Sequence, residues 1–236
     1  MALSFSALWT SVGKKILMSL SGLMMIGFLF GHLLGNLPLL QLDASADAYN
    51  TYSHFLLSLG GLLVLIELIL LAGLLLHVWT AVAIMLGKKK ARPVKYDKLK
   101  SAGGVSKQTL GSRTMIYTGL VLLVFLALHL KTFKYGPGSA GEKEYVAVVD
   151  GVEMRDLHKL VMEKFQDPIY VIGYAVAMVL MGLHLSHALW SACQSLGIYH
   201  PRYTPVLYSG GRLLAFLVSA GFFVIPVWIY FMGGSQ

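Results

Sequence analysis

The sequence predicts an all-α membrane protein, a bundle of five transmembrane helices with a cytoplasmic N-terminus and a C-terminus outside. Of its 236 residues 56% are hydrophobic, and the mean hydropathy is +0.69. Only 13% are charged, against about 25% in soluble domains. This composition excludes a disordered chain and argues against a soluble globule, and the length predicts a single membrane domain over residues 1–236.

Five segments are apolar over the roughly 20 residues that a helix needs to cross a bilayer. The first is too long for the apolar region of a signal peptide and is followed by no A-x-A-like cleavage site, so we interpret it as a span. The predicted spans are Ile16–Leu40, Leu59–Leu86, Thr114–Thr132, Ile169–Ala192 and Leu213–Met232.

The distribution of basic residues predicts the orientation. Thirteen of the nineteen Lys and Arg residues lie in the N-terminal segment, in the connection Lys88–Arg113 or between the fourth and fifth spans. Because basic residues stay on the cytoplasmic side, these three segments are predicted to lie inside. We therefore interpret the net charge of +8 as a topology signal and expect no nucleic-acid binding.

The two outer connections are predicted to carry structure. An amphipathic segment is expected over Asp43–Leu57, and a structured loop over 133–168. Within that loop, Asp-Gly is a favoured hairpin turn dipeptide, and the apolar spacing that follows it is typical of a short helix. The predicted elements are strands at Tyr145–Val149 and Val152–Met154 around Asp150-Gly151, and a helix from Asp156 to Phe165.

Five of the eight histidines lie inside predicted spans, namely His32, His77, His129, His184 and His187. A lone intramembrane His often only hydrogen-bonds a neighbouring helix, but several together suggest a function. At 1.5 Å of rise per residue, His32 and His129 lie about 25 Å from the inner ends of their helices, and His77 and His184 about 15 Å. Two histidines at one level on two helices are what a haem iron with two axial imidazoles requires.

Other metal centres are weaker candidates. Cys193 is the only cysteine, which excludes a Cys-rich zinc or iron–sulfur site built from this chain alone. A zinc site would favour a carboxylate or thiol beside the histidines, and neither accompanies either histidine pair at its depth. Gly27, Gly31, Gly35 and Gly73 lie near the paired histidines in sequence, and they could admit a flat macrocycle or only close helix packing.

Several motifs resemble one family when their order and spacing are taken together. They are Ser19-Leu-Ser21-Gly22 and Gly31-His32-Leu-Leu-Gly-Asn36-Leu in the first span, His129-Leu in the third, and His184-Leu-Ser-His187-Ala-Leu-Trp190 in the fourth. The chain resembles the dihaem cytochrome b membrane anchor of succinate:quinone oxidoreductases (succinate dehydrogenase/fumarate reductase). The similarity extends over nearly the whole sequence.

The resemblance implies two b haems, an outer one ligated by His32 and His129 and an inner one ligated by His77 and His184. It implies a flavoprotein partner with covalent FAD and an iron–sulfur partner, both docked at the basic face Lys88–Arg113. It also implies a membrane quinone, with menaquinone as the expected type, and a multi-pass location in the cell inner membrane. The chain would react with quinone as a subunit of the enzyme and would carry no dicarboxylate site itself.

Three residues are candidates for a quinone site. Glu67 is the only acidic residue within a span; it could exchange protons with a quinone near the outer haem or be a protonated structural carboxyl. His54 could hydrogen-bond a quinone carbonyl or be a surface histidine. Asn36 lies near the level of the outer haem and could meet either a quinone or a propionate.

The remaining candidates concern haem contacts. The resemblance implies that Ser19 lies near an inner propionate, and Lys15 and Arg113 are placed for inner propionates or as interfacial anchors. Lys131 could meet an outer propionate or extend to the lipid headgroups. His187 is interpreted as a hydrogen-bond partner near the inner haem edge.

One position departs from the family pattern. Some dihaem members carry Glu two residues before the fourth-span ligand, where this chain has Gly182, so transmembrane proton movement by that residue is not expected.

Two other classes of protein fit the residues less well. A cytochrome b anchor of a hydrogenase or formate dehydrogenase is the nearest alternative. A small proton-coupled transporter is the alternative from another class, although the repeats or broken helices typical of transporters are not found.

Overall fold

The computed structural model describes residues 9–41, 45–91, 94 and 109–233, which are mostly α-helical. The helices are α1 (Ser11–Asn36), α2 (Ser45–Ser58), α3 (Gly61–Ala91), α4 (Leu110–His129), α5 (Leu157–Gln166), α6 (Pro168–Ser195) and α7 (Thr204–Met232). A 3₁₀ turn at Leu37–Leu40 follows α1, and a π turn at Leu130–Lys134 follows α4. The strands are β1 (Val146–Val149) and β2 (Val152–Arg155).

The five predicted spans are confirmed as five helices long and apolar enough to cross a membrane. Most helix ends lie beyond the predicted bounds, since α1 begins at Ser11 and α7 at Thr204, whereas α3 begins at Gly61, two residues after the predicted start at Leu59. A helix can continue into the polar interface, whereas a search for apolar residues detects only the part within hydrocarbon. The protein is therefore a multi-pass membrane protein.

Little of each span is covered by the protein itself. Between 6% and 28% of the most apolar window of each span is buried. Many large apolar side chains of the spans are exposed instead, and a lipid environment is what such side chains require. The lipid bilayer predicted from composition is therefore the expected surrounding of all five helices.

The chain packs into two compact units, named here after one histidine in each. The His77 unit comprises Met1–Phe28, Glu67–Ile116 and Leu183–Ala215. The His32 unit comprises Leu29–Ile66, Tyr117–Gly182 and Phe216–Gln236. Each predicted histidine pair falls within one unit.

The core of the His32 unit joins its spans to the segments between them. Leu39 of the 3₁₀ turn and Ile229 of α7 are fully buried, together with Tyr49 of α2 and Phe165 of α5. Because α2 and α5 are short and amphipathic, they bury one apolar face against this core and leave the other exposed. The predicted segment Asp43–Leu57 corresponds to α2, and Asp43 itself lies outside the described residues.

The predicted hairpin is confirmed. Strands β1 and β2 pair antiparallel with Val149 opposite Val152, so the loop has two residues. Asp150 and Gly151 have φ angles of 51° and 79°, the left-handed conformation that the favoured two-residue turn requires at both positions. Glycine adopts it without strain and aspartate with little.

The predicted short helix is confirmed as α5. The Asp156 side chain caps its N-terminus by accepting the Lys159 backbone N–H at 2.9 Å, which satisfies one of the unpaired amides of the first turn. The apolar positions Leu160, Val161 and Phe165 are buried. The sequence spacing therefore identified the correct helix face.

Asn50 of α2 joins α2 to the start of α5. Its side chain is 1% exposed, its Nδ2 donates to Asp156 Oδ1 at 2.9 Å, and its Oδ1 accepts the His158 backbone N–H at 2.9 Å. One amide side chain thus satisfies two polar groups at a helix N-terminus. Its removal takes away the acceptor that Asn50 offers to the His158 backbone N–H and one of the two donors to Asp156 Oδ1, which keeps the Lys159 backbone N–H.

We expect Asn50→Ala to destabilise the packing of α2 on α5 by about 1–3 kcal/mol, the usual cost of unpaired buried polar groups. Trypsin cleavage at the lysines of α5 in membranes, measured against temperature, would report this as a lower midpoint. Ser53→Ala is the matched control, because the Ser53 hydroxyl only donates to the Asn50 carbonyl of its own helix at 2.9 Å. Equal midpoints for Asn50→Ala and the wild type would contradict the role of Asn50.

Candidate functional site

The first candidate site is the pair formed by His32 of α1 and His129 of α4, both in the His32 unit. Their ring centroids are 5.8 Å apart, and the rings are nearly perpendicular at 87°. The Nδ1 atom of His129 lies 3.0 Å from the hydroxyl of Tyr174 on α6. A polar ring in an apolar span is thereby given a defined orientation.

Aromatic side chains surround this pair. His129 lies between Phe125 and Phe133 of its own chain segment, with centroids 5.8 and 5.5 Å away. These residues are four positions apart and therefore share one helix face. On the other side, Phe222 of α7 lies 5.7 Å from the ring of His32.

The second candidate site is the pair formed by His77 of α3 and His184 of α6, both in the His77 unit. Their ring centroids are 6.5 Å apart at an interplanar angle of 58°. The His77 Nδ1 atom lies 3.2 Å from the Met18 carbonyl oxygen and 3.4 Å from Ser21 Oγ. A Cβ at Gly22 would lie 3.3 Å from the His77 ring, so glycine allows α1 to pass close to the imidazole.

Both pairs fit the iron of a b-type haem. Two imidazoles that share one metal ion, each at a metal–nitrogen distance of about 2 Å, have ring centres roughly 6 Å apart. The observed 5.8 and 6.5 Å bracket that spacing. Among the described residues no three His, Cys, Asp or Glu side chains form a group that could hold a metal ion. Two protein ligands are, however, the number that a six-coordinate haem iron takes from the protein.

The structure separates the glycines that the sequence grouped together. Gly27 and Gly31 are exposed, with no atom of another element within 4 Å of an added Cβ. Gly35 instead meets the Tyr52 ring of α2, and Gly73 meets a methionine side chain of α1. Gly35 and Gly73 therefore serve helix packing, while Gly22, which the sequence singled out only within a motif, contacts a paired histidine.

Asn36 has a structural role next to the first pair. Its Nδ2 donates to the His32 carbonyl oxygen at 2.7 Å, and its Oδ1 accepts the Tyr49 hydroxyl at 3.0 Å. These bonds tie the end of α1 to α2. They favour a positioning role for Asn36 over direct contact with a quinone or a propionate.

The other residues proposed for a quinone site lie on different elements. His54 is half-buried on α2 and belongs to the His32 unit. Glu67 is half-buried on α3 and belongs to the His77 unit. Each keeps its predicted role as a hypothesis only.

The residues proposed for propionate contacts differ in exposure. Lys15, Arg113 and Lys131 are exposed near helix ends, as expected of side chains that reach polar groups at the membrane surface. Ser19 is buried in the His77 unit. His187 is half-buried on α6, where its Cβ would lie 3.3 Å from a Cβ at Gly111.

Two residues, one in contact with His129 and one that holds the chain after it, were not proposed as site residues from the sequence. One is Tyr174, which lies 45 positions away in the chain and had no distinguishing motif. The other is Arg155, whose guanidinium donates to the Pro137 carbonyl oxygen at 2.6 Å (Nη2) and 3.1 Å (Nε). Arg155 thereby holds the chain just after the π turn Leu130–Lys134 that follows His129. The π turn Leu130–Lys134 lies directly after His129, and π-helical turns are frequent near functional sites.

We expect Gly22→Val to disturb the His77–His184 pair selectively, because the added methyl groups would displace the His77 ring. If each pair holds a haem, the pyridine haemochrome assay should show a fall from two haems to one per chain, and the EPR signal of one haem should be lost. Gly27→Val on the exposed face of α1 is the control and should keep both haems. Two intact haems in Gly22→Val would show that α1 does not constrain His77.

No protein-family model, curated protein or solved structure matches this chain. Three features therefore indicate the function: the five membrane spans, the two histidine pairs and the motifs that carry the sequence resemblance.

Proposed function

We propose that this chain is the membrane-anchor, electron-transfer subunit of a succinate dehydrogenase/fumarate reductase. It passes electrons between an iron–sulfur subunit and membrane quinone through two b haems, each held by two histidines. The observation that carries this proposal is the presence of two separate histidine pairs with ring centroids 5.8 and 6.5 Å apart. The motifs around these histidines supply the choice of family.

The paired histidines and the side chains around them have distinct roles in this proposal. His32 with His129, and His77 with His184, would supply the axial ligands of the two haem irons. When bound, each haem would carry one electron at a time between the partner subunit and quinone. The surrounding apolar and aromatic side chains exclude water. The groups that contact Nδ1 of His77 and of His129 orient each ring so that its Nε2 atom points away from them.

The partners belong to the proposal as well. A flavoprotein with covalent FAD and an iron–sulfur protein would dock on the cytoplasmic side of the cell inner membrane, where the basic connection is expected to lie. Lys88, Lys89 and Lys90 are exposed in the last turn of α3. The rest of the connection, including Lys95 and Lys98, lies outside the described residues apart from Val94 and residues 109–113.

Quinone would react with this chain within the membrane. Reduction of a quinone consumes two protons, so a carboxyl group at the site can act as a proton donor if it lies within hydrogen-bonding reach. Glu67 is the candidate for this role, with His54 as a second candidate for a hydrogen bond to a quinone carbonyl. Menaquinone is the expected quinone.

The complex purified from membranes should contain two six-coordinate, low-spin b haems per chain. The pairing further predicts that His184→Ala removes the haem at His77 or leaves it high-spin, because His77 then lacks its partner. Optical difference spectra and EPR measure both effects. The proposal would fail if the wild type held one haem or none, and copurification with hydrogenase or formate dehydrogenase subunits would identify the alternative anchor.

His187→Asn is the matched control for His184→Ala. The two histidines are three positions apart on α6, and His77 can share an iron with only one of them. His184 is the residue whose ring lies 6.5 Å from His77. His187→Asn should therefore keep two low-spin haems, and loss of the haem at His77 in this variant but not in His184→Ala would reverse the assignment.

Glu67→Gln should lower quinone-linked turnover at least tenfold while both haems stay bound, because the amide cannot exchange the proton. Turnover with an artificial acceptor that reacts at the soluble subunits serves as the control and should not change. Unchanged quinone-linked turnover across the working pH range would assign Glu67 to a structural role.

A further inference from the structure

The two histidine pairs differ in what contacts the Nδ1 atom of one of their members, His77 in one pair and His129 in the other. In the His77 unit, His77 Nδ1 lies against a backbone carbonyl, Met18 O, at 3.2 Å, with Ser21 Oγ at 3.4 Å. In the His32 unit, the corresponding contact of His129 is a side chain, the Tyr174 hydroxyl, at 3.0 Å. A backbone carbonyl cannot be removed by substitution, whereas a phenol hydroxyl can.

The Tyr174 hydroxyl is held in place by the packing of its ring. The ring makes edge-on contacts with Phe125 at 4.9 Å, Phe165 at 5.0 Å and Phe133 at 6.1 Å between centroids. These three residues come from α4, α5 and the π turn, so the phenol is fixed from several sides. Edge-to-face packing of this kind is favourable beyond the area it buries.

The chemistry of a metal-bound imidazole determines the direction of the hydrogen bond. An imidazole that binds a metal through Nε2 carries its hydrogen on Nδ1, so the Tyr174 oxygen must be the acceptor. Such an acceptor fixes the tautomer and the rotation of the ring, and it makes the ligand more basic. A more basic ligand stabilises the oxidised iron and lowers the reduction potential.

We propose that Tyr174 is a positioning residue that orients His129 through its Nδ1 hydrogen and lowers the reduction potential of the haem held by His32 and His129. The proposal rests on the proposed function, since it requires a haem at this pair. Its consequence is that the two haems are adjusted by different means, one through a backbone carbonyl and one through a phenol. The potential of one haem can then be changed without the other.

The test is Tyr174→Phe in the complete complex, which keeps the packed ring and removes only the hydroxyl. Optical redox titration should show a higher midpoint potential for the haem of the His32–His129 pair and an unchanged one for the other haem. The low-spin EPR signal of the same haem should shift as well, because it depends on the angle between the two imidazole planes. Tyr170→Phe, one turn earlier on α6, is the matched control and should change neither property.

The outcomes separate this proposal from the proposed function. A wild type without two haems would overturn both. Two haems in the wild type with identical potentials and EPR signals in Tyr174→Phe would overturn only the role of Tyr174. Loss of the haem at His32–His129 alone would support the positioning role, and loss of both haems would overturn it, because the effect would then not be confined to one pair. Ser21→Ala should affect only the haem at His77, which provides the reciprocal measurement.

Discussion

A polar ring inside an apolar helix needs a partner, because a bilayer offers it neither water nor hydrogen-bonding groups. This constraint accounts for most of what surrounds the paired histidines. His77 contacts the carbonyl of Met18 on α1, and His129 contacts Tyr174 on α6. Once the Nδ1 atom of His77 or His129 has a partner within the protein, the Nε2 atom of the same ring points away from that partner. The same contacts that make the histidines tolerable in hydrocarbon thus fix the orientation of their rings, as the proposed haem ligation requires.

The segments between the spans hold the ends of the helices that carry the pair in the His32 unit. The end of α1 is tied to α2 through Asn36 and Tyr49, and α2 is tied to α5 through Asn50. The chain after α4 is held by Arg155. A connection between spans that only linked them would not need buried side-chain hydrogen bonds. These segments are better understood as a support that keeps His32 and His129 in register.

The parts of the fold that the sequence predicted are those governed by local rules. Span length follows from bilayer thickness, the Asp150-Gly151 turn from the preference of two-residue hairpins for this dipeptide, and α5 from the spacing of its apolar residues. The four paired histidines could be grouped by depth because the rise per residue of a helix is constant. None of these steps requires knowledge of which helices are neighbours.

By itself, the sequence determined where the five helices long and apolar enough to cross a membrane lie, where the hairpin and the short helix lie, and which histidines form pairs. Tertiary structure alone decided which side chains meet these histidines. Gly22 rather than Gly27 or Gly31 contacts a paired imidazole, and the hydroxyl within hydrogen-bonding distance of His129 Nδ1 comes from Tyr174, 45 positions away in the chain. The physical reason is that helix rotation and neighbour choice depend on side-chain packing between spans. All spans are apolar around most of their circumference, so hydrophobic periodicity carries almost no information about which face turns inward.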